Sequence, residues 1–304
     1  MKKLFFFVKV AFIVCLFGWI AAKFDYKSAG ILLSSARLNL LVFPFLIAAV
    51  SLLFINFRWK MIIRGFWEKP RSTIWQLFYF NLLGIFYTLF VPTSIAAEAV
   101  RVWRLAKNED GDYGKATMTA IIDKLVGLAT WFVLFLLLPS QLPKNKLLLL
   151  VFFVPIVLYL FKDKLIIKEK KIFDFSRHHP MDIIYSVLYS FICQLFYILM
   201  GYMIFKCLNI NIDIFWVGGI MAAGALVGLI PVSLLGFGVR EGFFVATLPL
   251  YGTTHTEAVM VTTFLVVITY LTGLSGGIIE LARTGWNISN LKDTDARIIE
   301  NEKN

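Results

Sequence analysis

Two arginines recur in nearly the same ten-residue setting. PTSIAAEAVR at 92–101 and PVSLLGFGVR at 231–240 share Pro, Ser, Val and Arg at identical places. Each arginine has an acid nearby, Glu98 before Arg101 and Glu241 directly after Arg240. A further pair, Asp123-Lys124, interrupts the apolar run 116–138, and Arg104 follows Arg101 by one helical turn. Guanidinium groups take anions through forked, charge-assisted hydrogen bonds. Helices restarting beyond Pro92 and Pro231 would add unpaired N–H groups and positive dipole ends, with Ser94 and Ser233 placed to cap or to touch a ligand. Gly236 and Gly238 permit the tight backbone that such a tip needs. This is the chemistry of an anion site, with Glu98, Asp123 and Glu241 neutralising the arginines between binding events. The competing reading makes the same pairs structural, fixing how helices pack.

The elements that must position these residues follow from composition. In 304 residues, 59% apolar and only 16% charged side chains leave too little polar surface for a soluble globule. Apolar stretches able to cross about 30 Å of hydrocarbon fall at 4–22, 38–57, 74–91, 116–138, 183–205, 214–230 and 258–279, with a marginal one at 147–161. None shows the alternation of an outer-membrane barrel, so the fold class is an all-α, polytopic membrane helix bundle. One transmembrane domain is expected over 1–286, followed by a polar cytoplasmic tail at 287–304. The basic start and apolar run of the first 25 residues are longer than a usual signal core and are read as an uncleaved first helix. In a bilayer the abundant anionic group is a lipid phosphate, and a charge at a helix centre costs about 2.5–3.5 kcal/mol unless it faces the bundle and finds a partner. Asp123 and Lys124 are neighbours on different helix faces, so they should reach different partners, an arginine across the bundle being one candidate for Asp123. For Arg104, snorkelling to a membrane phosphate stands beside substrate contact.

Short basic loops stay on the cytoplasmic side. The loops 58–73 (Arg58, Lys60, Arg64, Lys69, Arg71) and 162–181 (six Lys/Arg, from Lys162 to Arg177) should therefore both lie inside. Simple crossing of every stretch puts them on opposite sides. Re-entrant hairpins at about 74–105 and 214–250, added to six full spans, restore the rule and leave both termini cytoplasmic. Trp19, Trp59, Trp67, Trp75 and Trp286 fall near expected span ends, where amphipathic rings anchor. The two Pro-Ser-Val-Arg motifs are then the hairpin tips, each followed by Tyr-Gly at 113–114 and 251–252. Together they mark an inverted repeat, the architecture in which broken helices of two halves meet around a transported substrate. Arg101 and Glu98 are read as the counterparts of Arg240 and Glu241, lining one polar cavity.

Three blocks, FNLLGIFYTLFVPTSIAAEAVRVWRLAK, AIIDKLVGL and LIPVSLLGFGVREGFF, resemble the signatures of the lysylphosphatidylglycerol synthase transmembrane family, also called flippase-like. The similarity runs from about Arg58-Trp59 to Gly276-Gly277 and is most specific at Pro-x-Ser-x-x-Gly-x-Gly-x-Arg-Glu. The chain departs from the family at Ala96-Ala97-Glu98, where Gly-Gly-Asp is usual, and at Asp123-Lys124, where Asp-Arg is usual. The resemblance implies movement of a phospholipid or polyprenyl-linked lipid between leaflets of the cell membrane. In the multiple peptide resistance factor a separate soluble domain performs aminoacyl transfer, and the short polar tail here leaves that activity no place.

Cys15, Cys193 and Cys207 lie in or beside apolar stretches without paired spacing and read as packing residues; His178, His179 and His255 form no metal signature. No cofactor, metal or nucleotide-binding loop is expected. EDGD at 109–112 reads as a solvated turn rather than a calcium loop. The net charge of +11 clusters beside helix ends and suits an anionic membrane surface, not nucleic acid. Two functions compete: a lipid flippase or transporter, and a non-transporting subunit or accessory protein of lipid or envelope-glycan synthesis in which the same residues hold a partner enzyme or bind lipid without moving it. An integral-membrane transferase is disfavoured, since no His-acid or metal constellation is visible.

Overall fold

The computed structural model describes residues 25–89, 94–139, 180–228, 233–234 and 237–284. Four helices are long and apolar enough to cross a membrane: Asn39–Arg64, Tyr113–Leu137, Met181–Cys207 and His255–Arg283. They correspond to four of the six expected spans; those at 4–22 and 147–161 lie outside the described residues.

In chain order the described helices are α1 (Tyr26–Ser35), α2 (Val42–Arg64), α3 (Ile74–Thr88), α4 (Ser94–Asn108), α5 (Tyr113–Leu137), α6 (Pro180–Cys207), α7 (Ile214–Val227), α8 (Val239–Thr247) and α9 (His255–Thr284). One arrangement occurs twice: a long helix, two short helices and a second long helix, as α2–α5 and again as α6–α9. With 15 and 14 residues, α3 and α7 reach only about 20 Å at 1.5 Å per residue, short of the hydrocarbon thickness.

Each short pair is a helical hairpin. Thr73 opens α3 with a capping box to Gln76. Its foot is tied to the end of α4 by Glu109, which accepts from the backbone N–H groups of Arg71 and Ser72 at 2.9 Å and from Ser72 Oγ at 2.5 Å. Near the tip, Gly84 lies so close to α4 that a Cβ would sit 2.9 Å from the carbonyl oxygen of Ala97, which only glycine permits. The 109–112 turn is therefore not wholly solvated: Glu109 is buried because it satisfies backbone donors at the start of α3, while Asp110 is exposed and Gly111 takes a positive φ. In the second hairpin Gly224 of α7 faces the Phe244 ring of α8, Gly228 lies beside Arg240, and Trp216 meets Tyr251 edge to face at 5.5 Å. A two-residue antiparallel pair, Ser233–Leu234 with Phe237–Gly238, leads into α8.

The long helices bind the two halves together. α2 lies along α6, with Phe54 stacked on Phe196 at 5.5 Å and Ser51 Oγ donating to the Cys193 carbonyl at 2.9 Å. α9 packs on the first hairpin through small residues, Gly276 meeting the backbone of Leu82. α5 packs on α7 of the second, where Gly218 faces Leu138. Each hairpin is thus held by the long helix that follows the other one.

Two expectations about the 58–73 segment are corrected. α2 continues through Met61, Ile62 and Ile63, all buried, to Arg64, so Arg58, Lys60 and Arg64 are helical and not loop charges. Arg58 and Trp59 are buried because they face other helices; Trp59, fully enclosed, is no interfacial anchor. Trp75, by contrast, is largely exposed. Cys193 and Cys207 are free and buried, packing as small apolar residues do.

Candidate functional site

Asp123 sits on the face of α5 that turns toward α2 and α4, and it joins two arginines from different helices. Its Oδ1 accepts from Arg58 Nε at 2.7 Å and its Oδ2 from Arg101 Nη2 at 3.1 Å. Arg101 also donates through Nη1 to both carboxylate oxygens of Glu98 at 3.2 Å, one turn earlier on α4. Lys124 turns away from Asp123, and its Nζ lies 3.4 Å from Glu98 Oε1. Arg58, Arg101 and Lys124 thus face two carboxylates, Asp123 and Glu98, leaving one positive charge in surplus. Arg58, Arg101 and Asp123 are buried, so water screens them little.

The surrounding helices are cut to hold this cluster. The Trp59 ring lies 4.1 Å from the Arg101 guanidinium carbon, and its Nε1 donates to Thr119 Oγ1 at 3.1 Å. Gly127, one turn beyond Asp123, leaves room for Arg58, since a Cβ there would lie 2.9 Å from Nη1. Arg58 Nη1 donates to Ser190 Oγ at 3.0 Å, and Ser190 Oγ is 2.7 Å from Thr130 Oγ1. Gln194 Nε2 donates to Thr130 Oγ1 at 2.6 Å and to the Gly127 carbonyl at 2.9 Å. A polar seam therefore runs between α5 and α6 away from the cluster.

Beyond the far end of that seam stands the second charge pair. Arg240 Nε and Nη2 both reach Glu241 Oε1, at 2.8 and 2.7 Å, and Nη1 donates to Tyr197 Oη at 3.4 Å. Tyr197 lies seven residues beyond Ser190 on α6, about 10 Å along the helix. The other oxygen of Glu241 accepts from the Gly238 N–H at 2.9 Å, satisfying a donor at the start of α8. The Arg240 side chain remains 30% exposed, whereas that of Arg101 is 6% exposed.

The two Pro-Ser-Val-Arg motifs therefore fold differently. In the first, α4 already begins at Ser94 and Arg101 lies in mid-helix. In the second, α8 begins only at Val239, so Arg240 is in its first turn. Ser233 belongs to the strand pair and does not cap α8; glycine-rich FG before Val239 continues as extended backbone, and Gly238 takes the cap position. Pro92, Pro231 and Gly236 lie outside the described residues. Arg101 and Arg240 do not share an acid; each is paired within its own hairpin, and Asp123 serves only the first. Arg104 points elsewhere, with Nη2 donating to Glu280 Oε1 of α9 at 2.5 Å.

Arg58, Trp59, Ser190 and Gln194 were missed by sequence reasoning. Arg58 carried a readable signal: apolar Met61, Ile62 and Ile63 follow it, so the helix extends a full turn past the charge. Ser190 and Gln194 had none beyond being polar, one turn apart, in an apolar run.

Fold and site together define a multi-pass helical membrane protein with paired charges held inside its bundle. The chain belongs to the lysylphosphatidylglycerol synthase TM region family, whose model matches residues 6–277. Comparison with curated proteins and with solved structures returned no match.

Proposed function

We propose that this protein is a lipid transporter, without catalytic chemistry of its own, that moves an anionic phospholipid or a polyprenyl-phosphate-linked lipid between leaflets of the cell membrane. The observation that carries this reading is the surplus positive charge that exposed Lys124 adds beside buried Arg58 and Arg101, whose two charges Asp123 and Glu98 already balance. A headgroup phosphate supplies the missing negative charge and accepts forked hydrogen bonds. Because Asp123 is shared, a phosphate that takes Arg101 frees that carboxylate oxygen without unpairing Arg58. Short α3 and α7, each folded back on its partner, support hairpins that enter and leave on one side and an inverted relation between the halves. The basic ends beside α2 and α9 are assigned to the cytoplasmic side with both termini.

The test is the full-length protein in liposomes carrying a fluorescent anionic lipid, with a membrane-impermeant quencher outside. Transport raises the quenched fraction above that of protein-free vesicles, and Arg101→Lys lowers the rate. A wild-type trace equal to the protein-free control overturns the reading and leaves a non-transporting subunit of lipid or glycan synthesis.

A further inference from the structure

A second cationic cluster lies where α4 and α9 end and α3 begins, and the buried network does not use it. Arg104 of α4 and Arg283 of α9 both approach the ring of Tyr79, their guanidinium carbons 5.7 and 4.5 Å from its centre. The Trp103 ring lies 4.8 Å from Arg104 and 5.6 Å from Lys107 Nζ. One carboxylate, Glu280, faces the group and takes a single Nη2 of Arg104. The buried Nε of Arg104 has no acceptor among the described residues, and Arg283, three residues beyond Glu280 on α9, bears on the same carboxylate. Among the described residues three cations stand against one acid in a half-open setting: the Arg104 side chain is 23% exposed, and Arg283 and Trp103 are exposed.

We propose that Arg104 and Arg283, steadied by Tyr79 and Trp103, form a phosphate-binding site at this end of the bundle, distinct from the buried cluster. Aromatic faces fix the guanidinium planes while leaving their N–H edges free for phosphate oxygens. Glu280 is the competitor: it occupies Arg104 until a phosphate displaces it. As a loading position for the lipid carried by the buried cluster, the site rests on the transporter reading; as a phosphate site it stands without it.

The test uses full-length protein in detergent titrated by calorimetry with two probes, inorganic phosphate and short-chain phosphatidylglycerol. Arg283→Gln is expected to weaken binding about tenfold or more, the loss of a charge-assisted hydrogen bond. Glu280→Gln is expected to strengthen it, because the competing carboxylate is neutralised; a merely structural ion pair would give lost thermal stability and unchanged affinity instead. An effect with both probes marks a site for the phosphate group itself, and an effect with the lipid alone marks a headgroup site that needs the acyl chains. Unchanged affinity for both probes in both variants overturns the proposal. Arg101→Lys, at the buried cluster, should leave the response to Arg283→Gln intact, so failure of transport and failure of this site are read separately.

Discussion

The two hairpins carry the same Pro-Ser-Val-Arg motif but put it to different use. In the first, Arg101 is enclosed in mid-helix, shares Asp123 with Arg58 and stacks on Trp59. In the second, Arg240 sits in the first turn of α8, part-exposed, and is matched by its neighbour Glu241, which also satisfies the N–H of Gly238. The first hairpin is thus a charge-rich joint among three helices with a positive surplus, and the second is a locally neutral pair. A repeated motif need not mean repeated geometry: where the helix begins decides which way the arginine faces and what it can meet.

The comparison breaks most sharply at Asp123. Asp123→Asn leaves two buried guanidinium groups short of a counter-charge and is expected to cost about 3–5 kcal/mol. Glu241→Gln should cost clearly less, since the part-exposed Arg240 can turn to water. Unfolding of both variants in detergent, followed by circular dichroism, checks the order; equal losses would mean that the two sites are electrostatically alike.

The hairpins also differ in how they close. Gly84→Ala drives a Cβ against the backbone of Ala97, which cannot swing aside, whereas Gly224→Ala meets the ring edge of Phe244, a side chain that can repack. Overpacking of this kind costs about 1–3 kcal/mol, and Gly84→Ala should fall at the upper end. Thermal midpoints of the two variants give the comparison directly.

Function sharpens it further. Arginine-to-lysine changes keep charge and lose the fork, so Arg101→Lys is expected to slow lipid movement in liposomes on the order of tenfold. Arg240→Lys should slow it less if the headgroup is held by the charge-surplus cluster. Equal slowing would point to a site used symmetrically from both halves. A smaller loss than that of Asp123→Asn is expected from Ser190→Ala, which removes one hydrogen bond from Arg58 and one from Thr130 and should cost roughly 1–3 kcal/mol. Beside Asp123→Asn in the same unfolding series, it shows how much the seam adds to the cluster.

The sequence by itself determined the bilayer setting, the helical class and the arginine-acid pairs, because each is written locally. Hydrocarbon length sets the spans, and a charge in an apolar run must have a reason. It also placed Asp123 and Lys124 on different faces, which follows from 100° per residue alone. Only the tertiary structure decided that Asp123 meets both Arg58 and Arg101, because that depends on how α2, α4 and α5 pack across long sequence separations. It moved Arg58 and Trp59 from a presumed loop into the core: the apolar count stops at residue 57, but the helix runs on to Arg64, where its next turn still has neighbours to bury against. It separated Arg101 from Arg240 as well: α8 starts only after a two-residue strand pair that closes within the motif itself, where the second motif has Gly238 and the first has helical Ala99.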